Sequence, residues 1–357
     1  MTISILFIIT GIGALTLTRY SSKEQLELSI GEITAVLRDT RKRSVTEENG
    51  TMWNVRFFHG TSTPSTYEVF KGSSYDPGSV VKLYTFRRNV SFGEPSAGAS
   101  YNISFGAGSG TVPSSKLISM VIPGEKGFVG DITVGRFGQI TSRIERDVVG
   151  YWHFDETTGT MAYDTSLYGN PGAMNPGAIW EFPDACTAGS CILFDGIAGY
   201  LDFGTTVSDA MESAGTVMAW VYRSGTGGGV FSRSAGGAWN DERIVIFFKS
   251  DTNVWGWSLA DGSANQNQQF PIATFPLNAW THVALTWDGL TVKTYVNGVL
   301  SDAIPQSVTP EVSNIPIRAG WTQGLGNQFF QGRLDEVRLY ARALAPTEVW
   351  ERYSDLR

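Results

Sequence analysis

The decisive stretch of the sequence is WTHVALTWDGLTVKTYVNG, residues 280–298. Residues 281–287 and 292–296 are rich in β-branched and aromatic side chains, which suit a pleated, half-buried strand. An Asp-Gly dipeptide at position 288 ends the first run and an Asn-Gly dipeptide at 297 ends the second, and both tolerate the backbone of tight hairpin turns. The pattern predicts a three-stranded antiparallel meander. The whole chain from about residue 148 onward shows the same kind of strand and turn pattern.

His282 lies inside the first of these predicted strands. No Ser, Cys or close carboxylate stands at a useful spacing from it, whereas base catalysis needs a positioned base and a partner. We therefore expect a packed strand histidine and not a catalytic one.

Charge and tryptophan content divide the chain. Residues 1–147 contain 16 Lys+Arg and 13 Asp+Glu, net +3, whereas residues 148–357 contain 11 and 21, net −10, and ten of the 11 tryptophans. Such a shift marks a boundary, and 357 residues give room for two domains. The 41 glycines and the 12% aromatic content favour a β-rich protein. An acidic second half repels phosphate, which excludes nucleic acid as a partner and favours cations and sugars.

The N-terminal segment is apolar, since residues 3–17 contain no charge. Fifteen residues are fewer than the ~20 that span a bilayer. The segment lacks the basic flank and the cleavage site of a signal peptide. Gly11 and Gly13 disfavour the other alternative, a buried core helix. We expect residues 1–18 to be a hydrophobic membrane or filament helix that has lost its beginning.

An amphipathic helix is predicted over residues 20–48. Its apolar residues recur at steps of four, three and four, which places them on one helical face: Leu26, Ile30, Ile33 and Leu37. The Asn-Gly dipeptide at 49 is a helix-stop signal. Strands are predicted after it over residues 52–58, 66–71, 80–92, 101–105, 117–122 and 130–134.

This order of elements resembles the type IV pilin-like proteins, specifically the H-type minor pseudopilins of type II secretion and their pilus-assembly relatives. The resemblance covers about residues 1–146. Beyond the apolar start, the segments that carry it are LELSIGEITAVLRDTRKR (26–43), WNVRF (53–57), ISFG (103–106) and ITVGRFGQI (132–140). It implies a pilin-like α+β domain over residues 19–146, a helix packed on a small antiparallel sheet. It also implies other pilin-like subunits as partners, bound through the N-terminal helix, and attachment to a membrane through residues 3–17.

Members of this family begin with a basic leader, a Gly cleavage site and a Phe-Thr-Leu-Ile-Glu start, and none of these is present here. Either the natural start lies upstream of Met1 and encodes these features, or the protein is not processed and assembled in this way, and we expect the first. This implies prokaryotic-type export and a cell-surface or extracellular location. A stop codon directly upstream of Met1 would contradict the expectation.

A second resemblance, to the laminin-G-like, concanavalin-A-like jelly-roll family, covers about residues 148–357. It is carried by the opening meander and by the segments VGYWHFDETTGT (149–160), AYDTS (162–166), ILFDG (192–196), VMAWV (217–221) and FQGRLDEVRLYARAL (330–344). It implies an antiparallel β-sandwich over residues 147–357, followed by a short helix from Pro346, a permitted first-turn proline. The predicted fold class is therefore mainly β with a long N-terminal helix.

In that family the first and last strands lie together, and an Asp near the end of the last strand often holds a structural Ca²⁺. The resemblance therefore implies a calcium ligand at Asp335, with Asp155 and the Asp195-Gly196 turn as companions. Such oxygen ligands suit calcium. The alternative is that these aspartates accept hydrogen bonds from turn backbone.

The two cysteines, Cys186 and Cys191, are near neighbours. Their spacing alone leaves open a pair of free buried thiols or a small disulfide loop. Export to an oxidising compartment favours the disulfide.

Catalytic motifs are missing. Glycan-cleaving enzymes need two carboxylates facing the bond, and the Glu-x-Asp-x-x-Glu pattern that would supply them on a strand does not occur. Asp335 and Glu336 are adjacent and should point to opposite faces of a strand. Three histidines and two cysteines form no zinc motif. We expect a protein that is not an enzyme.

Exposed aromatic residues with polar neighbours are the candidates for sugar binding, namely Trp239 with Asn240, and Trp321. The resulting hypothesis is a pilin-like subunit that displays a lectin-like sandwich for adhesion to a glycan or protein. The alternatives are a membrane-tethered glycan-degrading enzyme and a structural spacer without a ligand.

Overall fold

The structure is a computed structural model with two compact units. It describes residues 2–87, 89–207, 211–236, 238–249, 251–312, 314–323 and 328–357, without the side chains of residues 2–21, Trp239 and Glu242. The N-terminal unit comprises Met1–Pro113 and Leu117–Glu145, and the C-terminal unit comprises Ser114–Lys116 and Arg146–Arg357.

The N-terminal unit begins with a long helix, α1 (Thr2–Val45). The predicted apolar stripe is buried in the core of this unit, each residue at most 6% exposed: Leu26, Ile30, Ile33 and Leu37. After α1 the chain turns through left-handed backbone at Asn49 and Gly50, the predicted stop. Within the described part of the chain no helix has an apolar stretch long enough to cross a membrane. The side chains of the predicted membrane segment, residues 3–17, lie outside that part.

Eight strands follow α1: β1 (Trp53–Phe58), β2 (Thr66–Lys71), β3 (Val80–Thr85), β4 (Ser91–Glu94), β5 (Ser100–Phe105), β6 (Lys116–Val121), β7 (Phe128–Val134) and β8 (Ile140–Arg146). They form two four-stranded sheets, ordered β3-β2-β1-β5 and β4-β6-β7-β8. The single strand predicted over residues 80–92 is two strands, because β3 pairs with β2 in one sheet and β4 pairs with β6 in the other.

The described part of the C-terminal unit consists mainly of strands and ends in a short α-helix. The strands are β9 (Val148–Trp152), β10 (Met161–Ala162), β11 (Gly172–Met174), β12 (Ala178–Glu181), β13 (Cys191–Asp195), β14 (Leu201–Asp202), β15 (Gly215–Arg223), β16 (Gly228–Ser234), β17 (Glu242–Lys249), β18 (Val254–Ala260), β19 (Asn265–Pro271), β20 (Trp280–Trp287), β21 (Thr291–Val296), β22 (Val299–Pro305), β23 (Ile317–Ala319), β24 (Trp321–Thr322), β25 (Gln328–Phe329) and β26 (Gln331–Tyr340). The helix α2 (Pro346–Asp355) starts with the predicted proline.

This unit is built around two eight-stranded antiparallel sheets. One is ordered β10-β11-β14-β23-β16-β17-β18-β19, and the other β12-β13-β26-β15-β20-β21-β22, with β9 also paired to β26. Side chains from both sheets, including Trp152, Trp257 and Trp287, form one buried apolar core. This is the packing of a β-sandwich, and it confirms the predicted fold class.

The predicted meander is β20, β21 and β22. Val296 of β21 pairs with Val299 of β22 across a two-residue turn. Asn297 and Gly298 have φ of 50° and 76°, as the type I′ hairpin turn requires. His282 on β20 is buried, and this burial, followed by the charge of Arg338, lowers its pKa to about 3. It is a neutral, packed strand histidine, as predicted.

The last strand, β26, contains a β-bulge. Leu334 and Val337 both belong to the core although they are three positions apart. Glu336 has a φ of 53°, and the pairing with β15 shifts register there. The expectation that Asp335 and Glu336 point to opposite faces is therefore wrong, because the extra residue turns both away from the core.

Candidate ligand-binding cleft and buried acidic cluster

A cleft of about 340 Å³ opens at one end of the C-terminal unit. It lies between residues 196–200 after β13, residues 224–227 between β15 and β16, and the β24–β25 hairpin with the start of β26. Its described lining residues are small or uncharged: Gly196, Gly225, Thr226, Gly227, Gln328, Phe329 and Gln331. The volume falls in the ~300–1,000 Å³ range of small-ligand sites.

Gln331 is fixed at the centre of this cleft through its backbone. It pairs with Asp195, and its carbonyl oxygen accepts hydrogen bonds from the N–H groups of Ser224 (2.9 Å) and Gly225 (3.1 Å). A Cβ at Gly196 or Gly225 would lie 2.8 Å or 2.9 Å from the Cβ of Gln331, so both positions need glycine to admit this side chain. The side-chain amide of Gln331 is exposed and has no hydrogen-bond partner among the described residues.

Three aromatic rings stand beside the cleft. Phe329 lines it, and Trp321 stacks on Phe329 with ring centroids 5.9 Å apart and packs against Tyr200 at 5.3 Å. The predicted candidate Trp321 is thus next to the cleft. The indole Nε1 of Trp321 and the Oε1 of Gln328 are buried without a hydrogen-bond partner in the described part of the protein.

The described residues of the loops that border the cleft include no charged residue. Their sequences are GIAGY (196–200), SGTGGG (224–229), GWTQ (320–323) and QFFQ (328–331). Gln328, Phe329 and Gln331 were not predicted from the sequence. The signal that could have found them is this lack of charge in three loops of a strongly acidic half.

Asp195 is the carboxylate next to the cleft, and it is engaged in its own turn. Its Oδ1 accepts hydrogen bonds from the N–H groups of Ile197, Ala198 and Gly199 at 2.8–3.0 Å. Burial raises the pKa of Asp195, but these three hydrogen bonds outweigh it and hold the pKa below its ordinary value. These are the hydrogen bonds of the turn-capping role that was the alternative to a calcium ligand, and the calcium role of Asp195 stays a prediction.

The second predicted ligand pair lies elsewhere. Asn240 follows the far end of β16, a strand that starts at the cleft and whose seven residues span ~20 Å. Its side-chain amide donates to the carbonyl oxygen of Ser263 (2.7 Å) and accepts from Asn265 (2.6 Å), so it is occupied within the protein. The side chain of Trp239 lies outside the described residues.

Asp335 is fully buried and anchors a loop. Its Oδ2 accepts hydrogen bonds from the N–H groups of Thr187 (2.9 Å) and Ala188 (3.1 Å) and from the Thr187 hydroxyl. Its Oδ1 has no partner among the described residues. Burial, followed by the charge of Glu336, raises the pKa of Asp335 well above its ordinary value.

Asp155 holds the same loop from a second side. Its Oδ1 accepts a hydrogen bond from the N–H of Ser190 at 2.6 Å. Removal from water, followed by the charge of Glu336, raises the pKa of Asp155 to about 7. The disulfide Cys186–Cys191 closes this loop and confirms the predicted pairing. Two carboxylates and one covalent bond therefore fix residues 187–190.

Glu336 is the charged member of the cluster. Its Oε1 lies 3.1 Å from Nδ1 of His153, and its Oε2 accepts hydrogen bonds from the Tyr151 hydroxyl (2.7 Å) and Arg338 (2.8 Å). Burial raises its pKa, but His153 and then Arg338 outweigh that effect and lower the pKa below its ordinary value. Glu336 is therefore ionised and paired inside the protein.

The predicted calcium ligands are only partly brought together. Asp335 and Asp155 share one cluster, but Asp195 and Gly196 lie at the cleft, since Asp195 pairs with Gln331, four residues or ~13 Å before Asp335 on β26. Within the described residues no group of three or more His, Cys, Asp or Glu is arranged to hold a metal ion. The unpaired Oδ1 of Asp335 is one oxygen that suits a cation, and calcium stays a prediction.

Comparison with protein families matches residues 195–350, which include the whole cleft lining, to the Concanavalin A-like lectin/glucanases superfamily. The C-terminal unit contains a concanavalin A-like domain. This confirms the resemblance found for that half of the chain. No curated protein matches the sequence.

Solved structures similar to the chain include two botulinum neurotoxin structures and one domain of an extracellular arabinanase. The binding domain of botulinum neurotoxin DC, in complex with rat synaptotagmin II, is 16% identical, with 59% of this chain and 52% of that chain covered and a TM-score of 0.44. A botulinum neurotoxin type C structure, described as interacting with two ganglioside molecules, is 16% identical, with 59% and 51% covered and a TM-score of 0.46. Domain 4 of AbnA, a GH43 extracellular arabinanase from Geobacillus stearothermophilus in complex with arabinotriose, is 19% identical, with 57% and 97% covered and a TM-score of 0.44. The chain thus spans about half the length of these neurotoxin domains.

Proposed function

We propose that the protein is a non-enzymatic cell-surface protein whose C-terminal unit binds a glycan in the cleft lined by Phe329 and Gln331. The observation that supports this most directly is an aromatic ring beside an amide that has no partner among the described residues. Sugars present hydroxyl groups and flat C–H faces, and sites with a few placed polar groups on an aromatic surface suit such ligands.

The positions of the carboxylates support binding without cleavage. Hydrolysis of a glycan needs two carboxyl groups that face the bond. Asp335 and Glu336 are buried, and Asp155, which is partly buried, is bonded to the backbone of the disulfide loop. The described cleft lining contains no carboxylate.

For the N-terminal unit we propose a pilin-like role that displays the C-terminal unit on a filament or at a membrane. The order of an apolar segment, an amphipathic helix and a small sheet supports it, as does the burial of the α1 stripe in the core of that unit. Deleting residues 2–18 should shift the protein from the sedimenting cell fraction into the soluble fraction. Unchanged sedimentation would contradict this role.

A polysaccharide and glycan panel tests the binding function with the full-length protein. We expect saturable binding without release of reducing ends, and loss of binding in Phe329→Ala. The matched control is Leu290→Ala, an apolar residue 78% exposed in the turn after β20, at the opposite end of the sheet from the cleft. Steady release of reducing ends would favour the glycan-degrading alternative, and an empty panel with both calcium and chelator would favour a protein ligand or a spacer.

A further inference from the structure

We infer that the cleft selects an uncharged sugar, with the side-chain amides of Gln331 and Gln328 as its hydrogen-bonding groups. This inference rests on the proposed glycan-binding function and names the class of glycan. The relationship that carries it is the placement of two amides beside an aromatic ring, among loops that contain no charge.

The described loops around the cleft carry no charge. Residues 148–357 contain 11 basic and 21 acidic side chains, yet the segments 196–200, 224–229, 320–323 and 328–331 contain none. A site for acidic sugars would need Arg or Lys side chains to pair with carboxylate or sulfate groups. A site for cationic ligands would need free carboxylates. The cleft offers neither among its described lining residues.

The charged residues just behind the loops are already paired or buried. The guanidinium of Arg223 is buried and donates to the carbonyl oxygens of Phe275 (2.8 Å) and Gly225 (3.1 Å). The other basic groups form ion pairs, Arg318 with Asp202 and Arg333 with Glu181. The Oδ1 of Asp195 accepts from three N–H groups of its own turn. A charged sugar placed in the cleft would therefore lose water without gaining an ionic partner, which is unfavourable.

The amides provide what a neutral sugar needs. A Gln side chain has two donors and one acceptor, and each sugar hydroxyl both donates and accepts. Gln331 and the partly buried Gln328 both line the cleft, and the side-chain amide of Gln331 has no partner among the described residues. Phe329 supplies the apolar surface for the C–H face of the ring.

The experiment is a binding titration of the full-length protein with neutral oligosaccharides (gluco-, manno-, galacto-, xylo- and arabino-series) and with sialylated, uronate-containing and sulfated ones. We expect binding to members of the neutral set, with an affinity that changes by no more than about twofold between low and high ionic strength, because no charge is exchanged. Gln331→Ala should lower that affinity about tenfold or more, since an unmatched hydrogen bond costs about 1–3 kcal/mol. Gln331 is exposed, so its truncation leaves the fold intact.

The matched control is Gln269→Ala, an exposed glutamine on the edge strand β19, which should bind as the unaltered protein does. Binding confined to acidic glycans and weakened steeply by salt would overturn the inference while leaving the proposed function standing. Neutral binding that survives both Gln331→Ala and Phe329→Ala would overturn the assignment to this cleft. The absence of binding to either set would overturn the proposed function itself.

Discussion

Asp335 on the last strand and Thr187 in the disulfide loop are joined twice, because one carboxylate oxygen accepts both the backbone N–H (2.9 Å) and the hydroxyl of Thr187. The residues are 148 positions apart in sequence. A buried carboxylate thus accepts hydrogen bonds from the backbone of this loop in place of water. The contact makes the stability of the loop depend on one side chain.

Asp335→Asn should lower the free energy of unfolding of the C-terminal unit by about 1–3 kcal/mol. The carboxylate oxygen that accepts three hydrogen bonds is replaced by part of an amide, which cannot accept all three equally well. Denaturant titration followed by tryptophan fluorescence measures this, because ten of the 11 tryptophans lie after residue 148. Asp184→Asn, a substitution in the short turn before Cys186, is the control and should change little. Equal midpoints for Asp335→Asn and the unaltered protein would contradict the anchoring role.

The calcium prediction adds a second expected property of Asp335, a contribution to stability that depends on calcium. An ion held by Asp335 in the folded state adds RT ln(1 + [L]/Kd), about 2.7 kcal/mol at one hundred times Kd. Chelator should then lower the melting midpoint of the unaltered protein, and Asp335→Asn should abolish that response. A midpoint that ignores both calcium and chelator would show that Asp335 acts through the backbone alone.

Asp155 gives the stability a distinctive pH dependence. Its folded-state pKa is about 7 and lies above the ordinary value of 3.8, so the folded protein binds more protons than the unfolded chain between these values. Stability contributed by this group is therefore greatest at low pH and falls as pH rises from about 4 to about 7. Asp155→Asn keeps the oxygen that accepts from Ser190 and removes the charge, so it should flatten this fall. The measurement is the thermal midpoint of both proteins across this pH range. If the midpoint of the variant falls with pH as steeply as that of the unaltered protein, Asp155 is not the source of the pH dependence.

Replacing both Cys186 and Cys191 by Ser should destabilise the C-terminal unit by about 2 kcal/mol, the loop-entropy value for a loop of this length. The effect is modest because a short loop restricts the unfolded chain only slightly. The comparison is denaturation of the oxidised protein with and without the two substitutions. Reductant should destabilise the unaltered protein by a similar amount and leave the variant unaffected.

Leu37→Ala should destabilise the N-terminal unit by about 2–5 kcal/mol, because Leu37 is fully buried on the α1 stripe. Leu28→Ala is the matched control on the same helix, since Leu28 is 45% exposed and its loss should cost less than about 0.5 kcal/mol. Trp53 is the only tryptophan in the sequence of this unit, so tryptophan fluorescence reports mainly on the other unit. Hydrogen exchange of peptides from residues 22–45 and 53–58 is therefore the suitable measurement. Equal protection in the two variants would mean that the stripe does not hold the helix.

Local patterns predicted the parts of the fold that depend on local physics. The stripe from Leu26 to Leu37 follows helical periodicity, and the Asn297-Gly298 turn follows from the left-handed backbone that a two-residue hairpin needs. The bulge at Glu336 could not be predicted, because the sequence RLDEVRL looks like regular strand alternation and the extra residue appears only in the pairing with β15. The cleft was missed for a related reason, since Gly196, Gly225 and Gln331 are far apart in sequence and meet only through the sheet order β13-β26-β15.

That sheet order has a mechanical consequence. Gln331 opens β26 at the cleft, and the other end of β26 pairs antiparallel with β9, the first strand of the unit, where Tyr340 lies opposite Val148. Tension between a ligand held at Gln331 and the chain entering at Val148 would pull these two neighbouring strands lengthwise in opposite directions. The hydrogen bonds between them would be loaded together, in shear. In a hairpin pulled from its open end, by contrast, such bonds break one after another. The strand that carries the proposed ligand-binding amide would thus also carry the load in shear.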